Sequence, residues 1–256
     1  MSSKPSKPVP SGSIDFPAAG LAEYAHCYAV VLDSLFPKPA LSETLAEAER
    51  FSPWDVAQMN LGPEAYTVAS YRNGQRIVYD APALSAQLFA TIRPHLAAIE
   101  EIEERTVHPD GRVVSQKWRM VRLNERLRFL RYPKGGFFHA HCDGEYTDKK
   151  TGQQTFFTVQ LYLPSDSSGS PESFVPAGGG STRFYDNTGA YADVEAIPGR
   201  VLVFQHAELE HTGEEVTEGV KCTMRSDILY ERVGPPVPVP KEGAPATYHI
   251  RSIADD

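Results

Sequence analysis

The sequence predicts an α+β chain, with helices first and a β double sheet after them. Three observations carry this. Apolar residues recur at helical spacing in the first hundred positions. After Glu104 the texture changes to short alternating segments bounded by Gly, Pro, Asp and Asn. Several short strands with turn signals point to a sandwich or barrel rather than alternating β and α units, and no glycine-rich phosphate loop or internal repeat appears.

Residues 1–18 are rich in Ser, Pro and Lys and are expected to be disordered until something packs on them. Over 21–36 the apolar positions Leu21, Tyr24, Cys27, Tyr28, Val31 and Leu35 fit a helix, and 41–51 is a second helix rich in Ala, Glu and Leu. Residues 67–79 read as strand, turn, strand, with Asn73-Gly74 as the turn. Asp80 is then the expected N-cap of a helix with Pro82 in its first turn and Leu84, Leu88, Ile92 and Leu96 on one face. Pro94 kinks or splits that helix.

Strands are expected at 112–121, 126–132, 136–143, 155–163, 182–186, 200–205 and 220–230. Pro-Pro-Val-Pro-Val-Pro at 235–240 opens an extended tail over the surface. The organisation is therefore a disordered segment 1–18, one domain 19–232 and a Pro-rich tail 233–256. Within the domain, 19–104 is helical support and 112–232 the β core.

Bulk numbers narrow the function. A formal charge of −8 argues against a nucleic-acid surface. Three widely spaced cysteines imply no disulfide framework and fit a reducing compartment. No segment reaches the roughly 20 apolar residues that cross a bilayer, and the N-terminus lacks a secretory h-region, so a soluble, cytoplasmic protein is expected.

The chemistry gathers at 128–143, which ends in His141-Cys142-Asp143. On an extended strand His141 and Asp143 project from one side and Cys142 from the other. Two imidazoles and one carboxylate are the facial ligand set of non-haem Fe(II), so a second histidine should follow downstream. His211 is the candidate. On the last strand Lys221, Thr223 and Arg225 share a face. Two cations on a face otherwise expected to be core need anionic partners, and a dicarboxylate cosubstrate beside the metal is the simplest.

Here the sequence resembles the iron(II)/2-oxoglutarate dioxygenases, in their prolyl 4-hydroxylase-like branch. The likeness covers roughly 126–231: Arg131-Tyr132, Gly136, Phe138, the His141/Asp143 pair, Tyr162-Leu163, the run Gly179-Gly180-Ser181-Thr182-Arg183-Phe184, Pro198-Gly199, and His211-Thr212-Gly213 with Lys221 ten residues on. The resemblance implies a double-stranded β-helix, a distorted jelly roll, with N-terminal helices packed on its major sheet. It implies that His141, Asp143 and His211 hold Fe(II) and are the catalytic centre. Lys221, helped by Tyr162 and Thr223 and lined by Tyr132, would bind 2-oxoglutarate. Dioxygen is the co-oxidant, with ascorbate as candidate reductant.

Arg225 is an additional cation and is expected to read an anionic group of the substrate or to support the cosubstrate. The polar insertion 144–154 and the Ser/Gly/Pro-rich stretch 165–178 are expected near the mouth. The substrate expected is a small molecule, such as an amino acid or natural-product intermediate, possibly carrying a carboxylate. Peptidyl proline of a cytosolic protein is the runner-up, and fold does not decide between them. No nucleic acid or membrane partner is expected, and the oligomeric state is open.

His206 is a rival for the distal ligand, but its distance to Lys221 does not fit. His139 shares a face with His141 and is read as structural. His139, His141 and Glu145 also fit a cupin's first metal motif, although Leu202 stands where the second motif needs a histidine, and a cupin leaves Lys221 unexplained. A jelly-roll binding module without catalysis is the non-enzymatic alternative. Cys142 and Cys222 are expected to pack as small apolar residues, and Phe137, Phe138, Phe156 and Phe157 as sheet packing. His108 and His249 are assigned no role.

Overall fold

The computed structural model describes residues 11–57, 59–61, 64–66, 70–107, 112–235 and 247–252. Two antiparallel sheets face each other. The major sheet has eleven strands among the described residues and runs Gly12–Ser13, Ala29–Leu32, Val201–Gln205, Gln154–Leu163, Val220–Val233, Arg126–Pro133, Gln75–Asp80, Asp55–Val56. Val220–Val233 is long enough to take a second partner beyond Arg126–Pro133: Val113–Leu123 pairs with its distal half, followed outward by Glu101–Val107 and Thr247–Ser252. The minor sheet runs Tyr191–Val194, Thr182–Tyr185, His211–Gly213, Phe137–His141, Arg72–Asn73. This is the double-stranded β-helix that the resemblance implied.

Two helices back the major sheet, as expected. Helix α1 is Lys38–Phe51, entered through Pro37, and helix α2 is Pro82–Ile92, with Pro82 at its start. Leu41, Leu45 and Ala48 of α1 and Leu84, Leu88, Phe89 and Ile92 of α2 join one apolar core with Phe129, Phe157, Leu161 and Met224 of the sheet. Asp80 does not cap α2. Its carboxylate instead takes Arg126 in a two-point ion pair at 2.9 and 3.0 Å, and the cap position falls to Ala81. The α-helix ends at Ile92, and Pro94 sits in a following 3-10 turn.

The expected helix over 21–36 does not form. A short 3-10 turn, Ala22–Tyr24, is followed by the strand Ala29–Leu32, which pairs with Val201–Phe204. Ala-Val-Val-Leu is strand-prone, and both of its faces are covered there. Leu21, Tyr24, Ala29 and Val31 enter a second apolar cluster with Tyr162, Phe184 and Phe204. The N-terminal segment is also more ordered than its composition suggested: Phe16 is 1% exposed in that cluster, and Gly12–Ser13 pairs with Val30 and Val31. Residues 1–10 lie outside the described residues.

At the other end of the chain, Thr247–Ser252 pairs with Glu101–Val107, so the tail includes a strand on the major sheet. The charged run Glu101–Val107 gave no strand signal because it lies towards the sheet's margin. The Pro-rich 236–246 and residues 108–111, with His108, lie outside the described residues. No described helix is long and apolar enough to cross a membrane.

Candidate active site

Phe137–His141 lies in the minor sheet beside His211–Gly213, and the register sets His141 directly opposite His211. Their imidazole centroids are 4.3 Å apart. The strand stops at His141, two residues short of expectation, yet Asp143 still turns to the same side. One ligand atom from each of His141, Asp143 and His211 lies within 4.8 Å of the others, and no other metal-capable cluster occurs among the described residues.

The surroundings fix how these groups present themselves. Nδ1 of His141 lies 2.7 Å from the carbonyl oxygen of His139, and Nδ1 of His211 lies 3.2 Å from that of Leu209. A carbonyl can only accept, so each Nδ1 carries the proton and each Nε2 lone pair is left for a metal. Thr158 donates its hydroxyl to Oδ2 of Asp143 at 2.5 Å. Arg225 places Nη2 3.0 Å from Oδ1 of Asp143.

Electrostatics give the protonation states that metal ligation needs. Burial, and then the neighbouring His211, push His141 down to about 3, and burial also lowers His211. Burial alone would raise Asp143, but Arg225 and the surrounding histidines outweigh it and bring the carboxyl down to about 2. Two neutral imidazoles and one carboxylate therefore face a single point, a donor set that fits non-haem Fe(II).

The same cavity holds Lys221. Its lining includes Tyr132, Thr182, Lys221, Thr223 and Arg225 beside the three candidate ligands. The Lys221 ammonium lies 5.6 Å from the Tyr132 ring centre and 5.8 Å from that of Tyr162, and among the described residues no carboxylate pairs with it. Burial lowers its pKa to about 8, with Glu214 opposing. Gly180 packs on the lysine stem with φ +68°, a conformation that favours glycine, and a Cβ there would sit 3.1 Å from Val216 Cγ2 and 3.3 Å from Lys221 Cδ.

Thus His141, Asp143, His211, Tyr132, Lys221, Thr223 and Arg225 come together around one cavity. Tyr162 sits just behind it: it is 1% exposed, and its hydroxyl meets that of Thr182 at 2.8 Å. Arg225 is occupied by protein carboxylates, Asp143 and also Asp227 at 3.3 Å, rather than open to the cavity alone. His206 is buried, 3.6 Å from Asp227 and outside the ligand cluster.

The cupin set does not assemble, since His139 and Glu145 are exposed and the cluster excludes them. Phe137 and Phe138 line the cavity rather than only packing the sheet, and Phe138 stacks on His141 with centroids 3.7 Å apart. Cys222 is buried as expected, but Cys142 is exposed. The stretch 165–178 leans on α1, through Ser167 to Glu49 and Lys38 over the Phe174 ring, and none of its residues lines the cavity.

Sequence reasoning missed Arg72, Thr158 and Asp227. Asp227 carried a usable signal: it follows Arg225 at strand spacing, which places an acid beside a buried cation.

Comparison with known proteins agrees with this geometry. Residues 127–226 match the model of the 2OG-Fe(II) oxygenase superfamily, enzymes that use Fe(II), 2-oxoglutarate and dioxygen. No curated protein matches the sequence significantly. Among solved structures, the chain is similar to a Pseudomonas putida prolyl-4-hydroxylase, with TM-score 0.52 and 18% identity over 83% of this chain and 98% of that one. It is also similar to a Trichoplax adhaerens prolyl hydroxylase in complex with a hypoxia inducible factor peptide fragment, with TM-score 0.52 and 11% identity over 84% and 85%. The matched residues 127–226 contain all three candidate ligands and Lys221, and the chain shares its fold with these prolyl hydroxylases.

Proposed function

We propose that the protein oxidises an unactivated C–H bond of a small molecule, such as an amino acid or natural-product intermediate, releasing succinate and CO2. The observation that carries this is the convergence of His141, Asp143 and His211 within 4.8 Å in a cavity that also contains Lys221. The chemistry supplied by bound iron, 2-oxoglutarate and dioxygen is oxidative decarboxylation coupled to removal of hydrogen from the substrate, and hydroxylation, desaturation or ring closure all begin there.

In this reading Nε2 of His141, Nε2 of His211 and a carboxylate oxygen of Asp143 hold the metal. Lys221 pairs with the distal carboxylate of 2-oxoglutarate, and Tyr132 and Thr223 donate to it from the same wall. Tyr162, through Thr182, closes the pocket behind. Phe138 covers one face of His141 and limits water at the centre. Arg225 keeps Asp143 ionised and in place, and as it also lines the cavity it would read an anionic group of the substrate or support the cosubstrate.

The recessed centre favours a small substrate: the side chains of His141 and Asp143 are only 16% and 3% exposed. The test is a screen for stimulated succinate release with amino acids, other small carboxylates and proline-containing peptides. Stimulation by a small molecule with oxidised product supports the reading. Stimulation by peptides alone would replace it with peptidyl hydroxylation.

A further inference from the structure

Arg72 lies in the short strand Arg72–Asn73 at the edge of the minor sheet, directly across from Phe138. Its guanidinium covers the Phe138 ring at 4.4 Å and reaches over the cavity to the Tyr132 hydroxyl. Nε donates to that oxygen at 3.2 Å and Nη2 at 3.1 Å. Among the described residues no carboxylate pairs with Arg72, and the Tyr132 hydroxyl has no acceptor of its own.

A phenol oxygen that accepts twice has only its proton left to offer. Tyr132 is 6% exposed, so an unplaced donor there carries a cost unless something in the cavity accepts it. Its register partner on the neighbouring strand is Lys221, whose ammonium is likewise without a carboxylate. A hydroxyl proton and an ammonium side by side are complementary to one carboxylate.

The chain around Arg72 is shaped to this ring. At Asn73-Gly74 it leaves the minor sheet and enters the major one at Gln75, so the pair forms a corner between sheets, not the hairpin expected from its sequence. A Cβ on Gly74 would fall 2.6 Å from Tyr132 Cε1, and one on Gly136 would fall 2.7 Å from the Pro133 carbonyl oxygen and 3.0 Å from that of Asn73. Asn73 ties the corner down by donating Nδ2 to the Gly135 carbonyl at 3.0 Å.

We propose that Arg72 is a positioning residue for the cosubstrate: by occupying both lone pairs of the Tyr132 hydroxyl, it aims the hydroxyl proton at the distal carboxylate held by Lys221. This rests on the 2-oxoglutarate reading above. Arg72 acts through Tyr132, so its effect must vanish when the hydroxyl is absent and when the ligand lacks a distal carboxylate.

The experiment is a double-mutant cycle read by calorimetric binding to the Mn(II)-loaded protein, with Arg72→Met, Tyr132→Phe and the double variant, using 2-oxoglutarate and 2-oxobutyrate. Arg72→Met should weaken 2-oxoglutarate about tenfold, the scale of one hydrogen bond to a charged acceptor. It should weaken it no further in the Tyr132→Phe background and leave 2-oxobutyrate unchanged, with Arg72→Lys in between. An equal loss in both backgrounds would mean direct contact with the ligand, and an equal loss for 2-oxobutyrate would mean general damage; either overturns the inference. Tight wild-type binding with a flat cycle overturns it alone, whereas wild-type protein that binds neither acid overturns the functional reading as well.

Discussion

Nη2 of Arg225 lies 3.0 Å from Oδ1 of Asp143, so the carboxylate offered to the metal is already held by a guanidinium. The same nitrogen is 3.3 Å from Oδ1 of Asp227, whose other oxygen takes Nη1 of Arg128 at 2.9 Å. Two acids and two arginines thus alternate behind the centre, and the side chains of both acids are 3% exposed. Arg225→Met leaves the buried Asp143 without an arginine and Asp227 with Arg128 alone, and should cost about 3–5 kcal/mol, the scale measured for breaking buried pairs. Urea unfolding checks this, and a variant as stable as the wild type would contradict the network.

Thr158 donates to the Asp143 oxygen that Arg225 leaves free, at 2.5 Å, and is fully buried. Thr158→Val keeps the shape and removes the hydroxyl. Partners that orient a ligand typically contribute about 10- to 100-fold in metal affinity, so Mn(II) binding should weaken on that scale. Competition with a metal-sensitive dye measures it, and unchanged affinity would show that Asp143 needs no such support.

Lys221→Met should abolish measurable 2-oxoglutarate binding while leaving metal binding intact, because the buried ammonium lines the cavity without a protein carboxylate among the described residues, whereas Arg225 is held by Asp143 and Asp227 and Arg72 by the Tyr132 hydroxyl. Calorimetry with and without Mn(II) separates the two events. Loss of both would mean that the lysine shapes the metal site instead.

The pH dependence has a definite sign. Burial holds the free Lys221 at about 8, so the ammonium is charged below that pH and neutral above it. A bound carboxylate favours the charged form. Affinity for 2-oxoglutarate should therefore be flat below about pH 8 and fall as pH rises above it, well short of the ordinary lysine range near 10.4. A flat profile to pH 10 would argue that another group carries the anion.

The candidate ligands His141 and Asp143 were legible in the sequence because their pairing depends on short-range geometry. His141 and Asp143 share a side through local spacing, whereas His211 lies in the minor sheet and Lys221 in the major one, and their ten-residue separation was legible only through the resemblance. What stayed hidden depends on where the chain crosses between sheets. Asn73-Gly74 carries a hairpin signal, but at this point the chain changes sheets, and only that crossing brings Arg72 over Tyr132. The segment 21–36 misled for another reason: Leu21, Tyr24 and Val31 satisfy a helical period while being buried by a turn and a strand. Thr158 gave no signal at all, since an inward threonine in an apolar strand looks like packing until Asp143 is seen beside it.

The most direct test is anaerobic titration of the protein with Fe(II) and 2-oxoglutarate, followed in the visible spectrum, for the wild type and for His211→Ala. A weak charge-transfer band should saturate at one equivalent in the wild type and be missing from the variant. A wild type without the band, or a variant that keeps it, would contradict a ferrous centre built from residues 141, 143 and 211.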